Sequence, residues 1–287
     1  MGWIESIQKA IEYIEDHITD DLSIEQIAKE ANASVFHFQR TFSILTNMSI
    51  GEYSRKRRLT LAAKELQDSG IKVIDIALKY GYDTPEAFAK AFRKQHGIAP
   101  SDVRKGNVSL KSYNRLTIQV TLKGVDPMKY KLIEKESFQV AGVKRTYSTA
   151  INEQNKLIPR FWEDVHADGT NDRLAAVTNG EIEGILGVCV AGKEADCSQM
   201  IDYWIAAPFQ GDAPEGLDIL NIPASKWAVF EVHGPMPAAM QNAWKQIFSE
   251  WFPSHSYKHA GTPEFEYYPH EDPYQPDSYS EIWIPIK

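Results

Sequence analysis

Residues 71–97 read IKVIDIALKYGYDTPEAFAKAFRKQHG, and this stretch decides the fold of the N-terminal part of the chain. Gly81 is the residue type that most easily adopts the left-handed conformation of a tight turn. Thr84-Pro85 is a typical N-cap and first-turn pair, and Phe88 and Phe92 follow at the spacing of one helical face. The stretch therefore predicts a short helix, a tight turn and a second helix.

The same unit occurs earlier, over Leu22–Phe42. Asn32 takes the position of Gly81, and in both copies an Ile-Ala pair ends four residues before the turn. Phe38 and Phe42 then repeat the apolar face of the second helix. This organisation predicts two helix-turn-helix motifs, with a helical bundle that uses the same turn twice as the alternative.

The side chains on the opposite helical faces favour the first interpretation. In the first copy they are Phe36, Gln39, Arg40 and Ser43, and in the second copy they are Glu86, Lys90, Arg93 and Lys94. Glutamine and arginine make paired hydrogen bonds with adenine and guanine edges. These faces therefore predict contacts with double-stranded DNA.

Residues 50–69 lie between the copies and predict a helix about 30 Å long, at about 1.5 Å per residue. Successive major grooves on one face of B-DNA are about 34 Å apart, so one chain can place two helices in adjacent grooves. The run Arg55-Lys56-Arg57-Arg58 lies on this helix. We expect Arg57 to reach phosphate, and the alternative is a solvated charged face.

Charge and length predict a composite protein. The 287 residues have a net charge of −8, yet residues 1–106 carry equal numbers of basic and acidic groups, and all of the excess lies in 107–287. Two cysteines cannot form a disulfide framework. No apolar run approaches the roughly 18 residues of a membrane span, and no signal-peptide pattern is present, so we expect a cytoplasmic protein without membrane contact.

Beyond residue 106 the pattern changes to strands. We expect a linker over 107–128 with a strand over Arg115–Leu122, whose apolar residues alternate. Two strand–helix–strand–strand units then follow, the first over 138–206 and the second over 227–286. They predict a duplicated βαββ domain over 129–287, with an antiparallel sheet and a groove between two lobes. The fold class is therefore multidomain α+β.

The last predicted strand carries a candidate ligand site. A period of two places Ile282, Ile284 and Ile286 on one face, and Glu281 with Trp283 on the other. If helices cover the isoleucines, Glu281 and Trp283 face the groove. A carboxylate beside aromatic rings suits a cationic or aromatic ligand, and the alternative is an exposed carboxylate on an edge strand.

The N-terminal part, over residues 5–105, resembles the AraC/XylS family of bacterial transcription regulators. The resemblance is carried by Ile27-Ala28, Ser34, Phe38, Arg40, Phe42, Tyr53, Arg57, Ile76-Ala77, Gly81-Tyr82, Phe88, Phe92-Arg93-Lys94, Gly97, Pro100 and Arg104. Asn32 and Asn47 stand where glycine is usual. The resemblance implies a DNA-binding domain over 1–106, with DNA contacts by Phe36, Gln39, Arg40, Glu86 and Lys90. RNA polymerase is a further candidate partner.

Residues 129–287 resemble the GyrI-like effector-binding domain. The matching stretches are Ile222-Pro223-Ala224, Trp227-Ala228-Val229-Phe230, Gly234-Pro235, Trp244, Glu250-Trp251-Phe252-Pro253, Phe265-Glu266 with Tyr268, and Glu281-Ile282-Trp283-Ile284-Pro285. The resemblance implies a small-molecule pocket with Glu281 as its carboxylate. The implied pocket aromatics are Tyr147, Trp204, Tyr268 and Trp283, and we expect Phe265-Glu266 to be structural.

Catalytic, cofactor and metal chemistry receives little support from the sequence. His255 and His259 are four residues apart, but the segment does not predict a stable helix and no third metal ligand lies nearby. No phosphate-binding loop or nucleophile elbow is present. We therefore expect no cofactor and no enzyme. The alternatives to an effector-responsive regulator are a GyrI-like hydrolase fused to a DNA-binding domain, and a ligand-free protein-interaction module.

Overall fold

The computed structural model describes residues 3–68, 70–105, 108–118, 128–148, 154–191, 200–269 and 272–287. Its N-terminal part is helical. The helices are α1 (Trp3–Asp16), α2 (Ile24–Glu30), α3 (Val35–Thr46), α4 (Ile50–Asp68), α5 (Val73–Lys79) and α6 (Pro85–His96), followed by a short 3-10 helix over Pro100–Lys105. The two predicted helix-turn-helix motifs are α2–α3 and α5–α6.

The local sequence signals act as predicted. Asn32 and Gly81 have φ angles of 50° and 78°, which confirms the two left-handed turns. The side chains of Ser34 and Thr84 each accept a hydrogen bond from a backbone N–H in the first turn of the helix that follows. Both second helices therefore begin at a capped residue.

Helix α4 connects two separate apolar cores. Its first turns, with Ile50 and Tyr53, pack into the core of α1–α3, which contains Phe38 and Phe42. Its later turns pack into the core of α5 and α6, which contains Phe88 among other aromatic residues. The long helix thereby fixes the separation between α3 and α6.

The structure corrects the prediction for Arg57. Its guanidinium binds Glu15 through two hydrogen bonds, Nε to Oε1 at 2.8 Å and Nη2 to Oε2 at 2.7 Å. Tyr53 donates to the same carboxylate at 2.5 Å, and Arg57 Nη1 donates to the carbonyl oxygen of Tyr113 at 2.6 Å. The Arg57 side chain is only 11% exposed. Arg57 therefore fastens α4 to α1 instead of facing phosphate.

The segment that leaves the helical part is irregular over residues 108–118, so the predicted strand over Arg115–Leu122 is wrong for residues 115–118. The remainder of that prediction lies outside the described residues. Leu116 and Ile118 pack against the core of α1–α3, and the backbone N–H of Leu116 donates to Tyr53 at 3.1 Å. The segment therefore runs along the helical domain without pairing with a strand.

The C-terminal part contains one antiparallel sheet with helices on one side. Its elements are β1 (Tyr130–Lys135), β2 (Phe138–Ser148), α7 (Gln154–Ala167), α8 (Thr170–Val177), β3 (Ile185–Ala191), β4 (Met200–Pro208), β5 (Asp218–Ile222), β6 (Ser225–His233), α9 (Ala238–Gln246), a π-helical stretch (Ile247–Trp251), β7 (Glu264–Tyr268) and β8 (Tyr279–Ile286). The α+β fold is confirmed, while β1, β5 and α8 are additional to the sequence prediction.

The order of the strands shows the duplication. The sheet runs β1-β6-β8-β7-β3-β4-β2-β5, so each βαββ unit forms one half and the halves join where β7 pairs with β3. The helix-covered face carries two apolar clusters, one beneath α7 and α8 and one beneath α9. The opposite face carries a third cluster, which contains Trp227 and Trp283.

We expect Arg57→Met to destabilise the chain by about 3–5 kcal/mol, because the substitution leaves the buried Glu15 carboxylate without its charged partner. Urea unfolding followed by circular dichroism measures the effect. Arg55→Met removes an exposed arginine from the same helix and is the matched control, with an expected change within about 0.5 kcal/mol. Equal stability of the two variants would contradict a structural role for Arg57.

Candidate functional site

A carboxylate surrounded by aromatic donors lies where the two halves of the sheet meet. Glu266 on β7 accepts hydrogen bonds from the hydroxyl groups of Tyr203 and Tyr268, each at 3.0 Å, and from the indole Nε1 of Trp244 at 2.7 Å. Burial, and the charge of Glu266 after it, raise the pKa of both tyrosines well above 10. Both phenols therefore stay protonated and donate at neutral pH.

Neighbouring residues hold this group of donors in place. Trp162 on α7 donates from Nε1 to the Tyr203 hydroxyl at 3.1 Å, and its ring meets Tyr268 edge-on at 5.0 Å between centroids. Gly187 on β3 lies directly across from Glu266 in the strand register. A Cβ atom at Gly187 would collide with the Tyr203 hydroxyl and lie 3.1 Å from the Glu266 carboxylate. The close approach of Tyr203 to Glu266 therefore requires glycine on β3.

A second carboxylate, Glu264, lies two residues earlier on the same face of β7. Its side chain is 1% exposed and forms an ion pair with Arg40 of α3. His259 Nε2 lies 3.2 Å from the other carboxylate oxygen, and His259 Nδ1 accepts from the backbone N–H of Gly261. Because Nδ1 is an acceptor, the hydrogen of the neutral ring is on Nε2 and is donated to Glu264.

Arg40 therefore enters the C-terminal domain from the DNA-binding domain. Its guanidinium carbon lies 4.3 Å from the centroid of the Trp244 ring, and its side chain is 14% exposed. A desolvated cation–π contact contributes about 2 kcal/mol or more. Burial alone raises the pKa of Glu264, but Arg40 and His259 outweigh it and lower that pKa to about 2. The pair is charged throughout the physiological range.

The whole of helix α3 takes part in this contact. Phe36 belongs to the same buried cluster as Tyr147 and Phe161, while Leu45, near the other end of α3, packs against the cluster beneath α9. The His37 ring stacks on His259, with centroids 4.3 Å apart. Every residue of α3 is buried or half-buried. The C-terminal domain therefore covers α3, the second helix of the first helix-turn-helix motif.

Helix α6 differs sharply from α3. Its exposed residues are Glu86, Ala87, Lys90, Arg93 and Lys94. The structure thus places four of the predicted DNA-binding residues on one open surface. The expectation that Phe36, Arg40 and Ser43 are exposed is wrong for this conformation, because Phe36 and Arg40 contact the C-terminal domain and Ser43 is buried. Their DNA contacts, and that of the half-buried Gln39, stay a prediction.

The five predicted ligand residues do not form one site. Tyr268 binds Glu266, and Tyr147 lies in the cluster beneath α7, so both are on the helix-covered face. Trp204 and Trp283 lie in the cluster of the opposite face. Glu281 is also on that face, buried, and its carboxylate accepts from Tyr279, Trp283 and Lys131 at 2.5, 2.7 and 3.0 Å. Glu281 and Trp283 do alternate with the isoleucines as predicted, but they lie on the face of the sheet opposite the helices.

The sequence analysis missed Glu264 and treated Glu266 as structural. A usable signal was present, because a period of two in Glu264-Phe265-Glu266-Tyr267-Tyr268 places both glutamates and Tyr268 on one face. That pattern equally fits a solvent-facing polar edge. The pairing of β7 with β3 at the centre of the sheet is what places these residues beneath the helices.

The described residues contain no group of three or more potential metal ligands, and within them no helix is long and apolar enough to cross a membrane. His255 and His259 have separate contacts. His255 forms hydrogen bonds with the carbonyl oxygen of Trp251 and the hydroxyl of Tyr130, and His259 forms one with Glu264. Cys189 is a buried free thiol whose pKa burial raises to about 12, and Cys197 lies outside the described residues.

The chain joins two helix-turn-helix motifs to a duplicated βαββ domain in which aromatic donors surround the carboxylate of Glu266. This combination defines the class of DNA-binding transcription regulators with an effector-binding domain. Residues 131–286 match the family described as "Integron-associated effector binding protein", and residues 27–106 match the family described as "Helix-turn-helix domain". The chain therefore belongs to the integron-associated effector binding protein family, with an AraC-type DNA-binding domain in front. Both resemblances predicted from the sequence are confirmed.

Individual relatives agree with this assignment. The HTH-type transcriptional activator AarP of Providencia stuartii is 42% identical over 112 residues, which are 39% of this chain and 81% of AarP. The right origin-binding protein of Escherichia coli is 29% identical over 164 residues, 55% of each chain. The structure of SAV2435 bound to tetraphenylphosphonium is 29% identical, with a TM-score of 0.50, and the match covers 56% of this chain and 94% of that one. Similarity to transcription regulators supports a regulator rather than an enzyme.

We expect acidification to weaken the contact between α3 and the C-terminal domain through His37. Burial, and after it the proximity of His259 and Arg40, lower the pKa of His37 well below 6.5, although Glu264 acts in the opposite direction. Phe248 and Phe252 are the other rings that face it. Stabilisation by the neutral ring is complete above pH 6.5 and is lost as the pH falls towards the lowered value, at up to about 1.4 kcal/mol per pH unit.

Urea unfolding at pH 7.5 and pH 5.5 measures this loss, with His37→Phe as the comparison because phenylalanine keeps a ring and does not titrate. His96 also has a lowered pKa and titrates in both proteins, so its contribution cancels in the difference. The variant is expected to lose less stability on acidification than the unsubstituted chain. An equal loss in both would contradict the assignment to His37.

Proposed function

We propose that this chain is a sequence-specific, one-component transcription regulator that binds a small cationic aromatic effector in a cleft of its C-terminal domain, beside Glu264, Glu266 and Trp244 and between the helices of the two halves. The observation that carries the proposal is the pair of carboxylates, Glu264 and Glu266, beneath the helices and beside Trp244. A cytoplasmic location, expected from the sequence, is part of the proposal.

The ligand class follows from the chemistry of the cleft. Three aromatic donors hold Glu266, and the ring of Trp244 presents a π surface beside Glu264. A carboxylate taken out of water favours a compensating positive charge, and aromatic rings attract the same charge. The guanidinium of Arg40 lies between Glu264 and Trp244, so a planar cation fits between these two residues. The tetraphenylphosphonium bound by the relative SAV2435 belongs to this ligand class.

DNA readout is assigned to α3 and α6, at a separation that α4 fixes. In α6 the candidates are Glu86, Lys90, Arg93 and Lys94, and in α3 they are Phe36, Gln39 and Arg40. The proposal places the two helices in adjacent major grooves of a promoter. RNA polymerase stays a candidate partner without a surface assigned to it.

Two other functions remain to be separated by experiment. A hydrolase would consume a bound compound, whereas a sensor releases it unchanged, so product analysis after incubation distinguishes them. A ligand-free interaction module would not bind cationic compounds in the cleft, whether or not they carry aromatic groups. The buried, charged Glu264 favours the sensor, because an apolar interaction surface has no need for it.

Glu266→Gln is expected to lower the affinity for tetraphenylphosphonium at least tenfold, because the charge is lost while the size and the acceptor oxygen are kept. Calorimetric titration measures this affinity, and the neutral triphenylphosphine oxide is expected to bind both proteins with similar affinity. Glu281→Gln changes the carboxylate of the opposite face, which also has a tryptophan and a tyrosine as donors. It is expected to keep the affinity.

The reverse result, with Glu281→Gln losing affinity and Glu266→Gln keeping it, would return the ligand site to the face of Trp283. Equal losses for the cation and the neutral compound in Glu266→Gln would mean that Glu266 shapes the cleft without pairing with charge.

Lys90→Ala is expected to weaken binding to a specific DNA duplex by about 1–3 kcal/mol, because Lys90 lies on the exposed face of α6. The duplex is one that the full chain selects from a randomised pool, and fluorescence anisotropy compares it with a scrambled duplex. Lys245→Ala removes an exposed lysine of α9 and controls for net charge. Equal losses on both duplexes would make Lys90 a phosphate contact, and no loss would remove α6 from the DNA interface.

A further inference from the structure

We propose that Arg40 is an internal ligand of the effector site, so that a cationic effector and the docked helix α3 compete for one place and effector binding releases α3 for DNA. This inference rests on the proposed function, since it requires that the cleft binds a cation. It assigns to a single arginine both a DNA-facing role in the released state and a ligand-like role in the docked state.

Arg40 and a cationic effector need the same groups of the C-terminal domain. The ring of Trp244 lies beneath the Arg40 guanidinium at 4.3 Å, and its Nε1 donates to Glu266 at 2.7 Å. Glu264, the other carboxylate of the cleft, is already paired with Arg40. A second cation that uses the Trp244 ring and Glu264 has no room while Arg40 is present.

Charge compensation couples the two events. If α3 leaves alone, Glu264 loses the cation that balances its charge and keeps His259 as a hydrogen-bond donor, and a carboxylate in a site that excludes water is unfavourable without a cation. A cationic effector restores the lost charge. The release of α3 and the binding of the effector are therefore coupled through one buried carboxylate.

Phe36 lies one helical turn before Arg40 on the same face of α3. Its ring is buried among Tyr147, Phe161 and other residues of the first half of the C-terminal domain. Departure of α3 therefore exposes an apolar site beside the cation site, since the Cβ atoms of residues one turn apart are about 5–6 Å from each other. The effector class that replaces both side chains is a cation that carries an aromatic group.

The consequence for DNA follows from the contrast between the two recognition helices. Every residue of α3 is buried or half-buried, whereas α6 presents an open basic face. The docked chain can therefore offer one helix to DNA, and the released chain can offer two. Because coupling between two ligands is reciprocal, the effector and the specific duplex should raise each other's affinity by the same factor.

The decisive experiment measures the binding of tetraphenylphosphonium to the full chain and to Arg40→Ala by calorimetry. Removal of an internal competitor is expected to raise the affinity, by about a hundredfold if the docked state is about 99% populated. Arg40→Lys keeps the charge but loses the planar group that stacks on Trp244, and its affinity is expected to lie between those of the unsubstituted chain and Arg40→Ala. Lys29→Ala removes an exposed charge from α2 and is the matched control, and thermal unfolding verifies that each variant is folded.

An unchanged or lower affinity in Arg40→Ala, with binding retained by the unsubstituted chain, overturns the competition and leaves the proposed function standing. Binding by Arg40→Ala alone supports competition in its strongest form. If neither protein binds, tetraphenylphosphonium is the wrong probe for the proposed function, and the docking of α3 is then tested without an effector.

That second test uses Glu264→Gln, which removes the partner of Arg40 from the C-terminal domain and changes no residue of the DNA-binding domain. It is expected to raise the affinity of the full chain for its selected duplex at least tenfold without effector. The exposed Glu181→Gln is the control. Hydrogen exchange should become faster in α3 and stay the same in α6. Unchanged DNA affinity together with unchanged exchange in α3 overturns the inference.

Discussion

The buried ion pair between Arg40 and Glu264 is the interaction on which the arrangement of the two domains depends. It joins the centre of the first recognition helix to the centre of the C-terminal sheet, with Trp244 on one side and His259 on the other. Such a pair contributes little net stability compared with apolar groups, but loss of one partner is costly. A pair of this kind therefore fixes one specific arrangement of the domains, which persists until another positive charge replaces Arg40.

The site of this ion pair exists because the duplicated sheet brings two chemically distinct strands together. Where β7 meets β3, one strand contributes two glutamates and the other contributes Gly187 and Cys189 in register with them. The small residue makes room for the tyrosine that holds Glu266, and the helices of both halves close over the junction. Neither βαββ unit contains this site alone. The duplication thus creates, at the boundary, a cluster of side chains to which both units contribute.

The DNA-binding domain is built so that its two recognition helices can differ in accessibility. Helix α4 keeps them apart as a rigid spacer, fastened to α1 by Arg57 and Glu15. Because each helix belongs to a separate core, covering α3 leaves the core of α6 intact. The same separation that suits adjacent major grooves therefore also permits one helix to be covered while the other stays open.

The helices of the N-terminal domain and the two strand–helix–strand–strand units could be predicted from the sequence, because their signals are local, whereas β1, β5 and α8 could not. Turn residues such as Asn32 and Gly81, caps such as Thr84, and alternation such as that around Glu281 act within a few residues of chain. The tertiary contacts of individual side chains could not be predicted from such local signals. An arginine that binds phosphate or a base looks the same in the sequence as Arg57 or Arg40, and only their distant partners, Glu15 and Glu264, show that both are held inside the protein. The face that the helices cover also became known only from the folded chain, because alternation places residues on two faces but does not say which face the helices of both halves close over.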